Sequence, residues 1–124
     1  MGLDMFLFKA NKGTKGYEKV AYWRKANQIR KWFVDKCGYP DDADCKYYKV
    51  TKKQLKDLKK TCKRVIKEPN LAEELLPTQS GFFFGDTEYN NFYFEDLEDT
   101  REMLKKVIKE TDWENEEVFY YEWW

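Results

Sequence analysis

The sequence predicts a single α+β domain over residues 1–124, a small mainly antiparallel sheet with about three helices packed on one side. Three observations carry that expectation. Period-two apolar runs stand at the two ends of the chain, three- and four-residue helical spacing fills the stretches between, and Gly, Pro and Asn mark most boundaries. A chain of 124 residues can bury a core without disulfides or metals, and its 19% of aromatic residues must fill that core or an interface.

Residues 3–9, "LDMFLFK", alternate as a strand with Leu3, Met5 and Leu7 on one side and Phe6 and Phe8 on the other. Both sides are apolar, so this strand is expected near the centre of the sheet. "NKGTKG" follows as a basic loop. From Tyr22 to about residue 36, Ala26, Ile29 and Phe33 continue a helical stripe that Tyr22 begins, with Trp23 and Trp32 off it. Gly38 is placed to cap this helix, and an acidic loop, "CGYPDDADC", leads to the short strand "KYYKV". Thr51 is the expected N-cap of a second helix over 52–68, with Leu55, Leu58, Cys62, Val65 and Ile66 inward and eight basic residues over the rest.

Pro69 ends that helix, and "LAEELL" makes one short turn that Pro77 terminates. Phe82 to Phe84 are expected to start a short strand, which would put Phe82 and Phe84 on one side and Phe83 on the other. The last helix covers 91–110, with Phe94, Leu97, Arg101, Leu104 and Ile108 along one side; acids in its first turns and lysines in its last complement its dipole. "EEVFYYEWW" closes the chain as an aromatic strand, expected to pair antiparallel with the N-terminal strand or with "KYYKV".

Composition excludes several function classes. With no histidine there is no Ser-His-Asp or Cys-His machinery and no imidazole ligand, and Ser80, the only serine, stands outside any nucleophile elbow. Cys37, Cys45 and Cys62 lack CxxC spacing, so neither zinc nor any other cofactor is expected, and free thiols suit a reducing compartment. The start of the chain does not read as a signal peptide, and no apolar run has the length of a membrane span. A cytoplasmic protein without a membrane partner is expected.

Net charge is zero, yet residues 1–70 hold 19 Lys/Arg against 8 Asp/Glu and residues 71–124 hold 4 against 15. That split argues against sequence-specific DNA binding. It fits either mutual attraction of the two halves or a molecule with one basic and one acidic face.

Two stretches have the parts of a ligand pocket. "LPTQSGFFFGDTEY" offers backbone amides near Gly81 and Gly85, hydroxyls on Thr78 and Ser80, the rings of Phe83, Phe84 and Tyr89, and the Glu88 carboxylate. "YWRKANQIRKW" offers Trp23 and Trp32 for stacking, Arg24, Lys25 and Arg30 for phosphates, and Asn27 and Gln28 for a base edge. A nucleotide-like ligand is the expected partner if both line one cavity. A host protein bound through exposed aromatics, the terminal "YYEWW" included, is the competing expectation, and self-association is compatible with the same surface. A third reading has Glu73, Glu74, Asp86 or Glu88 hold Mg²⁺ with a phosphate substrate.

The opening "MGLDMFLF", the helix "YWRKANQIRKWF", the block "AEELLPTQSGFFFGDTEYNNFYFEDLEDT" and the run "ETDWEN" together resemble a family of small proteins of uncharacterised function commonly encoded by phages and prophages. The resemblance spans nearly the whole chain. It implies a role as an accessory binding protein, one that counters host defence by sequestering a small molecule or blocking a host protein. Arg30 stands where the resemblance implies histidine, so an imidazole there cannot be essential.

Overall fold

The computed structural model describes residues 2–14, 16–41 and 45–124; residues 42–44 of the acidic loop lie outside them. In chain order the elements are β1 (Asp4–Asn11), β2 (Glu18–Arg24), α1 (Asn27–Cys37), β3 (Tyr48–Val50), α2 (Lys52–Lys67), a 3-10 turn (Pro69–Leu71), α3 (Ala72–Leu75), α4 (Asn91–Glu110) and β4 (Glu116–Trp123). The strands form one sheet in the order β2-β1-β4-β3, every neighbouring pair antiparallel. The expected α+β architecture is therefore present. The chain's two ends meet at its centre, where β1 and β4 pair along their whole length from Asp4 opposite Trp123 to Asn11 opposite Glu116.

Alternation along the strands divides the sheet into two faces. Met5, Leu7, Trp23, Val118 and Tyr120 point inward and, with Leu3, join Ile29, Phe33, Leu55, Leu58, Leu97 and Leu104 of the helices in one buried core. Phe33 stacks on Tyr120 at 4.3 Å and meets Trp23 edge-on at 6.0 Å, which seats α1 on the sheet. The Trp23 indole N–H donates to Thr100 Oγ1 of α4 at 2.8 Å, so the polar tip of this buried ring is satisfied.

Helix ends follow local chemistry. Thr51 caps α2 with a reciprocal box, its Oγ1 accepting from the Gln54 amide at 3.1 Å while Gln54 Oε1 accepts from the Thr51 amide at 2.9 Å. Gly38 ends α1 in the left-handed conformation expected of it.

Two expectations need correction. Residues 22–24 belong to β2 and not to a helix, because Tyr22 and Arg24 pair across from Phe6 and Asp4. Lys25 then takes a left-handed φ of 55°, breaking the strand so that α1 starts only at Asn27. Phe82–Phe84 are likewise no strand. They form a tight turn in which the Phe84 amide donates to the Gly81 carbonyl at 3.1 Å, and Phe82 and Phe84 end on opposite sides, 95% and 6% exposed. A side chain at Gly81 would lie 2.6 Å from the Phe84 ring, so the ring folds back over glycine alone.

Candidate functional site

The loop between α3 and α4, residues 77–90, is fastened to the start of α1. Asn27 makes three contacts with it: its Nδ2 donates to the carbonyls of Phe84 and Asp86, each at 2.9 Å, and its Oδ1 accepts from the Gln79 amide at 2.9 Å. The loop also closes on itself, with Thr78 Oγ1 donating to the Thr87 carbonyl at 2.9 Å and the Thr78 amide to Tyr89 Oη at 3.2 Å. The Leu3 amide donates to the Phe83 carbonyl at 2.8 Å, tying the loop to the edge of β1.

One turn along α1, Arg30 is the centre of a buried polar cluster. Its Nε lies 3.2 Å from both Glu122 oxygens, its Nη2 donates to Glu122 Oε2 at 3.1 Å and its Nη1 to Gln79 Oε1 at 2.9 Å; Nη2 also reaches the Asp41 carbonyl. Glu122, fully buried, takes two further hydrogen bonds, from Tyr120 Oη at 2.8 Å and Trp124 Nε1 at 2.6 Å. The guanidinium lies 4.9 Å from the Phe84 ring and 5.8 Å from Trp124, whose rings meet edge-on. Burial and the neighbouring Glu122 push the Tyr120 phenol far above its usual pKa, so it stays a donor.

Beside this closed cluster a cleft of about 280 Å³ opens to solvent. Arg24, Lys25 and Gln28 line it from the β2–α1 junction, and Thr78, Gly85, Asp86 and Glu88 from the loop. Asn90, Phe92, Tyr93 and Asp96 complete it from the start of α4. Lys25 and Gly85 form the contact between its two sides: both have positive φ, and a side chain at Gly85 would stand 3.1 Å from Lys25 Cβ. Desolvation raises the Asp96 carboxyl to about 6, with Asp99 and Glu95 adding to the shift and the hydrogen bond from Gln28 at 3.4 Å opposing it. Asp86 is committed to its loop, accepting from the Glu88 amide at 2.7 Å and from Asn90 Nδ2 at 3.1 Å.

Of the residues expected to bind a ligand, Arg24, Thr78 and Glu88 line this cleft. Trp23 and Phe84 do not: both are core rings, because Trp23 points to the inner face of the sheet and Phe84 packs under the loop. Asn27 is buried with its amide spent on the loop, so it shapes the cleft without facing it. Phe83 packs against the core edge, Tyr89 closes the loop, and Ser80 is exposed outside the lining. Lys25 and Gln28, expected beside Arg24 and Asn27, also line the cleft, whereas Trp32 is core and Arg30 is spent on Glu122; Asn90, Phe92, Tyr93 and Asp96 are the lining residues that sequence reasoning missed. Gln28 was legible as the polar neighbour of Asn27 on α1, whereas nothing local marks Asp96 among the acids of α4. Among the described residues no group of three or more His, Cys, Asp or Glu side chains is placed to hold a metal.

The outer face of the sheet is a second surface. Phe6, Phe8, Tyr22, Phe119, Tyr121 and Trp123 project from the strands, and Tyr17 and Tyr47 stack on each other at 4.3 Å above them. Phe8 meets Tyr47 at 5.6 Å and Tyr121 at 5.8 Å, making the array continuous. Tyr17, Tyr22, Tyr47 and Trp123 are 39–56% exposed, on the order of 350 Å² between them at roughly 200 Å² per aromatic side chain. The largest apolar patch of an ordinary monomer is of this size and is often functional. Its charges cancel locally, Arg24 with Asp4 at 2.8 Å and Lys49 with Glu117 at 2.9 Å.

Compared with known protein families, curated proteins and solved structures, the chain gives no match. Among the described residues no helix is long and apolar enough to cross a membrane.

Proposed function

We propose that the protein is a non-enzymatic binding protein that holds a nucleotide-like small molecule in the cleft between the β2–α1 junction and the 77–90 loop. In the phage or prophage setting that the resemblance implies, sequestering such a molecule would counter host defence from within the host cytoplasm. The observation that carries the reading is that Arg24, Lys25 and Gln28 share one cleft with Thr78, Gly85, Asp86 and Glu88. Lys25 is the group for phosphate oxygens, with Arg24, already paired with Asp4, beside it; Phe92 supplies an exposed ring for stacking, and the Asp96 carboxylate with the Gln28 amide oxygen suits the N–H groups of a base edge. A volume of about 280 Å³ lies just under the range of small-molecule pockets. It suits one nucleotide, or one nucleotide unit of a larger ligand.

A thermal-shift screen over mononucleotides and cyclic dinucleotides tests this. A ligand at 100 times its dissociation constant adds about 2.7 kcal/mol of stability, and Lys25→Ala should abolish that gain. A screen in which no nucleotide raises the melting temperature would overturn the reading.

A second reading, inhibition of a host protein, is favoured by the aromatic outer face. Its internally cancelled charges suit a neutral, apolar protein surface better than a polyanion. Removing the last two residues is not a clean test, since Trp124 packs on Phe84 and donates to Glu122. Tyr47→Ser with Trp123→Ser changes exposed side chains only. Capture of a host protein that survives this double substitution would rule out the face as the interface.

A further inference from the structure

The charge split of the sequence survives in the fold as a groove of cations. Lys56, Lys59, Lys60 and Lys63 recur at three- and four-residue spacing on α2, so their ammonium groups share one side of the helix. Arg101 reaches the same place from α4, and these five side chains alone line an open groove of about 350 Å³. None of the five has a carboxylate partner among the described residues, whose ion pairs lie on the sheet and α1. Like charges three and four residues apart on a helix repel, and no side chain lining the groove offsets this.

The second observation is an orphan donor. The Nε–H of Arg101 is buried without an acceptor, the only such side-chain atom among the described residues. Buried donors are paired in folded proteins almost without exception, and one left open calls for an explanation, an unplaced water or ion beside it among them. A guanidinium is the donor whose planar fork fits two oxygens of a phosphate, while ammonium groups act around it as point charges. The lining holds no ring to stack on a base and no amide to read one.

We propose that the groove between α2 and α4 is an anion site for a run of adjacent phosphate groups, held by Arg101 at its half-buried wall and by Lys56, Lys59, Lys60 and Lys63 along its open side. Its ligand is recognised by phosphate charge and spacing, independently of any base. The site is separate from the cleft at Lys25 and stands whether or not that cleft binds a nucleotide. Phosphates in a row occur in free polyphosphate and in a nucleic-acid backbone; a groove lined by five cations and by no ring or amide for a base favours the former.

Calorimetric titration with tripolyphosphate, and in parallel with a mixed-sequence single-stranded oligonucleotide, tests the site across a salt series. Tripolyphosphate should bind, its affinity falling steeply with salt, and Arg101→Gln should weaken it at least tenfold. Lys60→Gln with Lys63→Gln should do the same from exposed positions outside the core, while Lys12→Gln, exposed at the β1–β2 turn and outside both the cleft and the groove, should leave it unchanged. Tighter binding of the oligonucleotide, with a log-log salt slope that drops by about 0.7 per lysine removed, would identify the backbone as the source of the phosphates. The proposal is overturned if neither probe binds at low salt, or if binding persists undiminished in both variants.

Discussion

Asn27 and Gln28 are neighbours on α1, yet they belong to opposite kinds of polar site. Asn27 and Arg30 face a cluster in which the surrounding chain meets nearly every polar atom: Glu122 alone accepts from Arg30, Tyr120 and Trp124. Gln28 faces a cleft in which Lys25, Glu88 and Asp96 have capacity left over and solvent has access. The same two stretches of sequence build both. Closure makes the first a fastening for the loop, and the absence of closure leaves the second open to solvent, as the proposed binding requires.

The largest effect should come from opening the closed side. Arg30→Ala leaves the Glu122 charge buried without its partner, which costs about 3–5 kcal/mol in a site of this kind; urea unfolding should show it. Replacing both partners, Arg30→Met with Glu122→Leu, should lose much less than the two single changes combined. A loss equal to their sum would mean that the pair is not coupled.

Asn27→Ala comes next. It leaves the Gln79 amide and the carbonyls of Phe84 and Asp86 without their partner, and a loss of roughly 2 kcal/mol is expected. Because the loop is then unfastened, amide exchange over residues 78–86 should accelerate more than in the rest of the chain. Uniform acceleration would show that Asn27 is ordinary core.

On the open side the expected effect is smaller and depends on pH. The Asp96 carboxyl is raised from 3.8 to about 6 by burial. Between those values the folded protein holds a proton that the unfolded chain has released. Stability therefore falls as pH rises through this window and stays reduced above it. Asp96→Asn should be close to neutral at pH 4 and stabilising at pH 7, by about 1 kcal/mol once partial exposure is allowed for. A constant difference across pH would contradict the assignment. The smallest effect belongs to Phe82, whose ring is 95% exposed: Phe82→Ser should change stability by less than about 0.5 kcal/mol.

The parts of the fold that were legible in the sequence are those whose periodicity is carried by many residues. The α2 stripe of Leu55, Leu58, Cys62 and Val65 is buried as read, and β1 is central because both its faces are apolar. The β2 strand was hidden because Tyr22 falls in phase with Ala26, Ile29 and Phe33, and only the left-handed Lys25 separates strand from helix. The Phe triplet misled for a related reason: alternation assumes extended backbone, and Gly81 instead lets Phe84 turn inward.

The site was half legible. The complementary chemistry of "YWRKANQ" and "TQSGFFFGD" raised a shared cavity as one alternative without deciding it, and which side chains face inward depends on the conformation of Lys25 and Gly85. The buried pair carried a signal that went unused. Arg30 lies four residues from Ala26 on the apolar side of α1, and Glu122 alternates in phase with Val118 and Tyr120. Two opposite charges, each in an inward phase, are a reason to expect that they meet.

The claim that the cleft, and not the cluster beside it, takes a nucleotide is tested most directly by NMR titration of the labelled protein with the nucleotide panel. With a binding nucleotide, the amides of Lys25, Gln28, Gly85 and Asp96 should shift together and saturate, while the Arg30 Nε–H resonance stays in place. Absence of any saturating shift at those four residues, or shifts centred on Arg30 and Glu122, would contradict it.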